Sequence, residues 1–442
     1  MLFIVKLQLK RQQEINMKIF KNLFAIAALT ISFAASASLV NLQHLDHLYE
    51  ERTIESGEKL GLIHIYSEYP DYEWVKDPLE GVSALDDMAR AIVVYSDAYQ
   101  QTKEKAHFEK MTSLINSILF LHSDNGYFNN FIYPDNTVNT TYKTSLANAN
   151  WWTWRAIWAL SYTYEQVLAD NKELAEKMHT VLFKSIDTTY EGFNFEQTVT
   201  KQNGFDVPEW LPSNGADQAS VLLLGLTKAY QIAPSEKIAK LMKSLADGIM
   251  LMQVKNVESP IYGAMLSWKN IWHAYGNSQS YALLEAGMAL EDRDMVKAAF
   301  EELDHFYPYL IEQGHLNWFS AEQKGKEIKF LEKDQFAQIA YGFRPMIFAS
   351  LRAFEISRDS RYIDQAVKLA MWFFKDNAGA IQMYSPETGR GYDGLNSATE
   401  YNRNSGAEST IEALLSLAAI EKSPKAKKLL QEKLKALKVK AK

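Results

Sequence analysis

The sequence predicts an all-α protein, an (α/α)6 toroid of six helical hairpins with odd helices inner and even helices outer. Three observations carry this prediction. Helical periodicity recurs in twelve segments; the segments fall into six pairs joined by short turns; and the two members of a pair differ in how much of their surface is apolar.

The segments run 83–101, 105–121, 145–169, 172–189, 214–231, 235–254, 275–291, 294–312, 335–357, 360–375, 404–421 and 424–437. Within a pair the connection is a few residues, such as Thr102-Lys103-Glu104 or Arg358-Asp359-Ser360, which forces antiparallel neighbours. Between pairs the chain spends about twenty residues or more, giving a repeat of about 60 to 70 residues. Odd segments are apolar on most faces: Trp151 to Leu160 reads WWTWRAIWAL, Ala219 to Leu226 reads ASVLLLGL, and Ile411 to Ile420 reads IEALLSLAAI. Even segments carry a polar stripe, as in Lys172 to Lys184, Glu236 to Leu245 and Tyr362 to Trp372. A helix apolar all round is buried and a striped one meets water, hence an inner and an outer ring. A superhelical solenoid of the same hairpins is the alternative, but solenoid repeats are shorter and more uniform.

The 442 residues, 47% hydrophobic and 23% charged, support a large core and exclude a disordered chain. There is no cysteine, which excludes disulfides, thiolate metal sites, cysteine nucleophiles and lipoprotein anchoring. Residues 1–37 read as a secretory leader, with Met17 as its initiator: Lys18 and Lys21 precede an apolar run from Leu23 to Ala34, and Ala35-Ser36-Ala37 offers a cleavage site. The apolar run is too short for a membrane span. Residues 38–442 are then expected to form a single toroid domain. Removing the leader takes away five basic residues and one acidic residue, so the net charge falls from −7 to −11. A chain this acidic is a poor partner for nucleic acid. The mature protein is expected to be soluble, periplasmic or secreted, without stable membrane insertion.

Every long linker leads into an inner helix, so the linkers and the inner N-termini gather at one mouth of the ring. Long loops in a compact domain are usually functional. These are aromatic: Tyr127-Phe128, Trp210 between Pro208 and Pro212, Tyr262 with Trp268, Trp318-Phe319, and Tyr392. The 12% aromatic content thus divides between these linkers and the inner helices, where Trp151, Trp152, Trp154 and Trp158 are expected. Flat aromatic faces suit the C–H faces of sugar rings, so the mouth is expected to bind an oligosaccharide or polysaccharide.

Two motifs bring carboxylates to that mouth. Glu80-Gly81-Val82-Ser83-Ala84-Leu85-Asp86-Asp87-Met88-Ala89-Arg90-Ala91 opens the first inner helix, and Asn402-Arg403-Asn404-Ser405-Gly406-Ala407-Glu408-Ser409-Thr410 opens the sixth. In a closed ring these helices are neighbours. Asp86, Asp87 and Glu408 are therefore the candidate catalytic residues, because paired carboxylates are what glycoside hydrolysis uses. The structural reading of the same residues is a dipole role for the acids, an Asp86–Arg90 pair at i,i+4, and Glu408 bonding back to a cap at Asn404 or Ser405. Candidate substrate-binding residues are Glu209, Trp210, Asp217, Trp268, His273, Tyr275, Trp318, Tyr392 and Asn404. Asp334 is expected to be a dipole acid at the start of the fifth inner helix. A polysaccharide lyase, with His273 or Tyr275 as base, stays open as a second reading. There is no Walker loop, strand-borne GxGxxG, HExxH, GxSxG or EF-hand spacing, so neither a cofactor nor a metal site is expected.

The six hairpins and the two motifs resemble the six-hairpin glycosidase-like superfamily. They are most similar to a bacterial toroid group, also found attached to some glycosyltransferases, that opens on GVxxxDDxARA and ends on GAES. Gln338-Ile339-Ala340-Tyr341-Gly342 fits the same group. The resemblance implies the toroid and a carbohydrate cleft. It does not carry over a reaction, since the superfamily holds hydrolases, lyases and epimerases. Glycoside hydrolase is the leading expectation, with a lyase or a non-catalytic glycan-binding toroid as the alternatives.

Overall fold

A computed structural model describes residues 38–440; the leader expected over residues 1–37 lies outside the described residues. The inner helices are Leu85–Thr102, Trp151–Asp170, Ala216–Ile232, Gln279–Ala289, Ala340–Ser357 and Ala407–Lys422. The first three outer helices are Lys105–Phe120, Lys172–Gly192 and Glu236–Leu251. The fourth starts at Arg293–Glu301, widens into a π-turn at Glu302–Phe306 and continues as Tyr307–Glu312. Arg361–Ala370 and Pro424–Lys440 complete the outer ring. Each inner helix packs on the next and the sixth packs on the first, so the ring closes and the solenoid alternative falls.

Burial follows the apolar pattern. In the first inner helix Leu85 and every residue from Asp87 to Asp97 are buried, because neighbours flank it on both sides and an outer helix backs it. The fifth outer helix buries Tyr362, Ile363, Ala366 and Val367 while Arg361 and Asp364 stay exposed. Each fully buried Leu or Ile contributes roughly 1.5–3 kcal/mol to such a face. Close approach of the second and third inner helices depends on Gly225, where a Cβ would stand 2.9 Å from both the Trp158 amide nitrogen and Ile157 Cγ2.

The two rings are capped differently. Asn171, Ser235 and Asp292 cap the second, third and fourth outer helices with their side chains. Among the inner helices only the second has a side-chain cap, from Asn150. Mouth loops satisfy several of the others. Asn130 accepts from the Leu85 amide through its carbonyl (2.6 Å) and from the Asp86 amide through its side chain (3.2 Å); the Ser267 carbonyl accepts from Ala216 (2.8 Å). Loop conformation and helix start are thereby one unit.

The linkers are largely short antiparallel hairpins rather than irregular loops. The most extended is a three-stranded sheet in which Trp318–Lys324 lies between Glu327–Asp334 and Ile271–His273. Asp334 ends a strand and accepts from the Phe336 amide (3.1 Å), and the fifth inner helix begins only at Ala340. The dipole role expected for Asp334 is therefore corrected.

An N-terminal strap lies outside the twelve predicted segments. It consists of the helix Gln43–Leu48 and two hairpins, Tyr49–Thr53 with Lys59–Ile63 and Tyr66–Glu68 with Glu73–Val75. At one end Ser117 Oγ of the first outer helix donates to the Gly61 carbonyl (2.6 Å). At the other, the amides of Ala407 and Ser405 donate to the carbonyls of Ile65 (2.9 Å) and Ser67 (3.0 Å). The strap thus crosses the seam where the ring closes. No described helix is long and apolar enough to cross a membrane.

Candidate active site

Asp86 and Asp87 stand in the first turn of the first inner helix and Glu408 in the first turn of the sixth. Consecutive residues on a helix point about 100° apart, so the two aspartates serve different neighbours. Asp86 turns to the second inner helix, where Arg155 Nε lies 2.7 Å from its Oδ1. Asp87 turns instead to its own helix, where Arg90 Nη2 lies 2.7 Å from its Oδ1. The expected Asp86–Arg90 ion pair is thus corrected: Arg90 meets only the backbone carbonyl of Asp86, through Nε at 3.1 Å.

The other terminal nitrogen of Arg90 donates to Glu408 Oε2 (3.0 Å) and Glu412 Oε1 (3.1 Å). Glu412 also receives Arg344 Nε at 2.6 Å. Arg155 Nη2 donates to the Tyr341 hydroxyl (2.6 Å), and the guanidinium groups of Arg90, Arg155 and Arg344 stand 5.4, 5.0 and 5.4 Å from the Tyr341 ring centre. Four inner helices are joined through this network. Glu408 does not bond back to a cap; Gly406 is the cap residue, and Asp393 Oδ1 accepts from the Gly406 amide (2.9 Å) and Ser409 Oγ (2.7 Å).

Burial divides the carboxylates by role. Asp87 is 4% exposed, and this desolvation pushes its carboxyl up to about 7; Arg90 opposes the rise while Glu408 and Asp86 add to it. Glu412 is fully buried, yet Arg344 and Arg90 outweigh the desolvation and hold it below the usual glutamate range. The Glu408 side chain keeps 45% exposure and reaches the mouth. One arginine therefore holds a carboxyl able to carry a proton near neutrality beside a solvent-facing one. Because each is bonded to a terminal nitrogen of a single planar guanidinium, their bonded oxygens lie within about 8 Å of each other.

Two cavities meet at Glu408 and Tyr341. The larger, about 340 Å³, is walled by Trp151, Trp152 and Tyr275, with Glu80, Asp86 and Arg155 among its polar groups. The smaller, about 180 Å³, reaches Tyr66, Asp87 and Asp393. A further cavity of about 330 Å³ lies among the opposite ends of the inner helices. Its acids are ion-paired, Asp97 with Lys422 at 2.6 Å and Glu285 and Glu355 with Arg352 at 2.9 and 2.8 Å, whereas Glu80 at the mouth has no ion pair among the described residues.

The remaining predicted residues separate into groups. Asp217, His273 and Tyr275 come together: His273 Nε2 lies 3.0 Å from Asp217 Oδ2, its Nδ1 lies 2.8 Å from the Tyr275 carbonyl, and its ring stacks on Tyr275 at 3.8 Å. Trp318 is paired with His273 across adjacent strands. Trp268 is exposed beside the third inner helix, held by its Nε1–H to the Ser213 carbonyl (3.2 Å). Trp210 is a correction: it is buried and donates to the Ser244 carbonyl of the third outer helix (2.8 Å), anchoring its loop. Glu209, next to it, is exposed and lines neither mouth cavity. Asn404 accepts from the Tyr69 amide (3.0 Å), a brace between strap and sixth helix, and Tyr392 packs edge-on against Tyr401.

Arg155, Arg344, Tyr341, Glu412 and Glu80 were not predicted, and Trp151 was expected in the core. The signal for the arginines was present: a lone charge inside an apolar stretch such as WWTWRAIWAL needs a buried partner.

Comparison with solved structures identifies the architecture. A cellobiose 2-epimerase from Bacillus thermoamylovorans superposes with a TM-score of 0.59 at 13% identity, over 86% of this chain and 95% of that one. The fold is the (α/α)6 toroid. A D-mannose isomerase shares the toroid at a TM-score of 0.58 and 13% identity, covering 86% of this chain and 96% of its own. A cellobiose 2-epimerase from Spirochaeta thermophila shares it at 0.55 and 14%, over 84% and 91%. No protein-family model matches the sequence. No curated protein matches it either.

Proposed function

We propose that this toroid is an exported carbohydrate-active enzyme, a glycoside hydrolase whose substrate lies in the aromatic-walled mouth. The observation that carries the reading is the Arg90 clamp, with Asp87 on one terminal nitrogen and Glu408 on the other. Asp87, carrying a proton near neutral pH, is the general acid toward the glycosidic oxygen. Glu408, facing the mouth, is the base that activates water or the nucleophile that attacks the sugar; the span between the two suits either course. Asp86, fixed by Arg155, positions sugar hydroxyls. The names of the solved toroids, sugar epimerases and a sugar isomerase, support carbohydrate as the substrate class.

The lyase reading is weaker on geometry. Both ring nitrogens of His273 are taken up by acceptors, the Tyr275 carbonyl and the Asp217 carboxylate, so neither is free to take a proton from a ligand. Burial, then Asp217, pushes the Tyr275 phenol upward, against ionisation.

The test is reducing-end release from a panel of glycans by the wild-type chain, Asp87→Asn and Glu408→Gln. Hydrolysis predicts activity lost in both variants with sugar binding retained. Full activity in both would overturn the assignment, and products carrying an unsaturated uronide chromophore would favour the lyase. Export is tested by finding the chain, shortened at its N-terminus, in the periplasmic or culture fraction.

A further inference from the structure

We propose that the glycan bound at the mouth carries free amino groups, held as ammonium ions against Glu80 and the neighbouring carboxylates. This rests on the glycan reading above and adds the charge of the substrate to it.

The larger mouth cavity presents three carboxylates, Glu80, Asp86 and Glu408, and one cation, Arg155. That cation is already engaged, with Nε on Asp86 and Nη2 on the Tyr341 hydroxyl. The cations behind it are engaged as well, Arg90 by Asp87, Glu408 and Glu412 and Arg344 by Glu412. The carboxylates of the lining thus outnumber its one guanidinium, which is already paired with Asp86.

Glu80 stands apart from this network. It forms no ion pair among the described residues, and its Oε2 accepts from the Tyr66 hydroxyl at 2.6 Å, which fixes the carboxylate without neutralising it. It lines the same cavity as Trp151, Trp152 and Tyr275, whose faces suit both sugar C–H groups and a cation. A uronate placed here meets like charge in a partly desolvated cleft. An N-acetylated sugar offers Glu80 a neutral amide N–H but no counter-charge. A protonated hexosamine supplies the missing counter-charge, so Glu80 is read as a specificity residue for the amine.

The test is calorimetric binding of three probes to the purified full chain, at slightly acid pH where the amine is protonated. The probes are a glucosamine tetramer, its fully N-acetylated counterpart and a galacturonate tetramer. The amine probe is expected to bind about tenfold more tightly than the N-acetylated one, as one partly exposed ion pair allows, with the galacturonate weakest. Glu80→Gln should cut the amine preference about threefold or more, and added salt should erode it while leaving the N-acetylated probe unchanged. Galacturonate binding as tightly as the amine probe, or a Glu80→Gln variant with its preference intact, overturns the proposal. Equal binding of the amine and N-acetylated probes removes the charge preference but leaves the glycan reading standing. Failure of all three to bind overturns the proposal, and the wider glycan panel then decides the glycan reading.

Discussion

Nη2 of Arg90 lies 2.7 Å from Oδ1 of Asp87, three residues earlier on the same inner helix, and both side chains are buried. The same guanidinium also serves Glu412, which is fully buried. Removing it leaves Asp87 without a cation in a low-dielectric interior and Glu412 with Arg344 alone. Arg90→Met is therefore expected to cost about 3–5 kcal/mol in urea unfolding. Arg90→Met with Asp87→Asn, which also removes the charge left without a partner while Glu412 keeps Arg344, should recover part of that loss. A single variant as stable as wild type would mean that the clamp contributes nothing.

Asp87 with a pKa of about 7 sets the alkaline limb of activity. A general acid works while protonated, so kcat should fall as pH rises through about 7. Asp87→Asn should lower kcat by about 10²–10⁴ and flatten that limb, with KM nearly unchanged. An unchanged pH profile in the variant would remove Asp87 from the proton-donor role.

Trp151 and Trp210 distinguish binding from packing. Trp151 lines the mouth, so Trp151→Ala should raise KM about tenfold, the loss of one stacked ring, with little effect on kcat. Trp210 is buried against the third outer helix, so Trp210→Ala should cost about 3–5 kcal/mol of stability. In the folded enzyme it should leave kcat/KM near the wild-type value. Steady-state kinetics and denaturant melts on both variants check the contrast.

Glu302 sits in the π-turn of the fourth outer helix, bonded by Ser280 Oγ (2.6 Å) and the Met265 amide (2.8 Å). Burial pushes its carboxyl up to about 7 despite these two bonds, from an ordinary 4.5. The folded chain then keeps a proton that the unfolded chain has released. Its stabilising effect is complete below about 4.5 and is lost as pH rises through about 7, on the order of 3 kcal/mol in all. Thermal melts across that window should fall more steeply for wild type than for Glu302→Gln; parallel curves would contradict the assignment.

How much of this was legible differs between helix and loop. The inner helices were readable because a stretch such as ASVLLLGL, apolar on every face, has only one stable place in a soluble ring. Asp86, Asp87 and Glu408 were placed at the mouth because the same logic made the first and sixth helices neighbours. The partner of Arg90 was misassigned because helical spacing allows i+3 and i+4 alike, and the choice fell to Glu408 and Glu412, more than 300 residues away in sequence. Trp210 was misread because an aromatic between two prolines looks the same whether it faces a cleft or an outer helix. The strap was missed because its short hairpins have no helical period and are held by backbone bonds that side-chain pattern does not encode.

The strap and the clamp meet at the same seam. Asp87 and Glu408 come from the first and the sixth hairpin, yet one guanidinium holds both, so the pair does not exist before the ring closes. The first hairpin must wait for the last, a high-contact-order event that falls late in folding. Under the proposed chemistry, a chain emerging in sequence is expected to stay inert until its sixth hairpin has closed on its first.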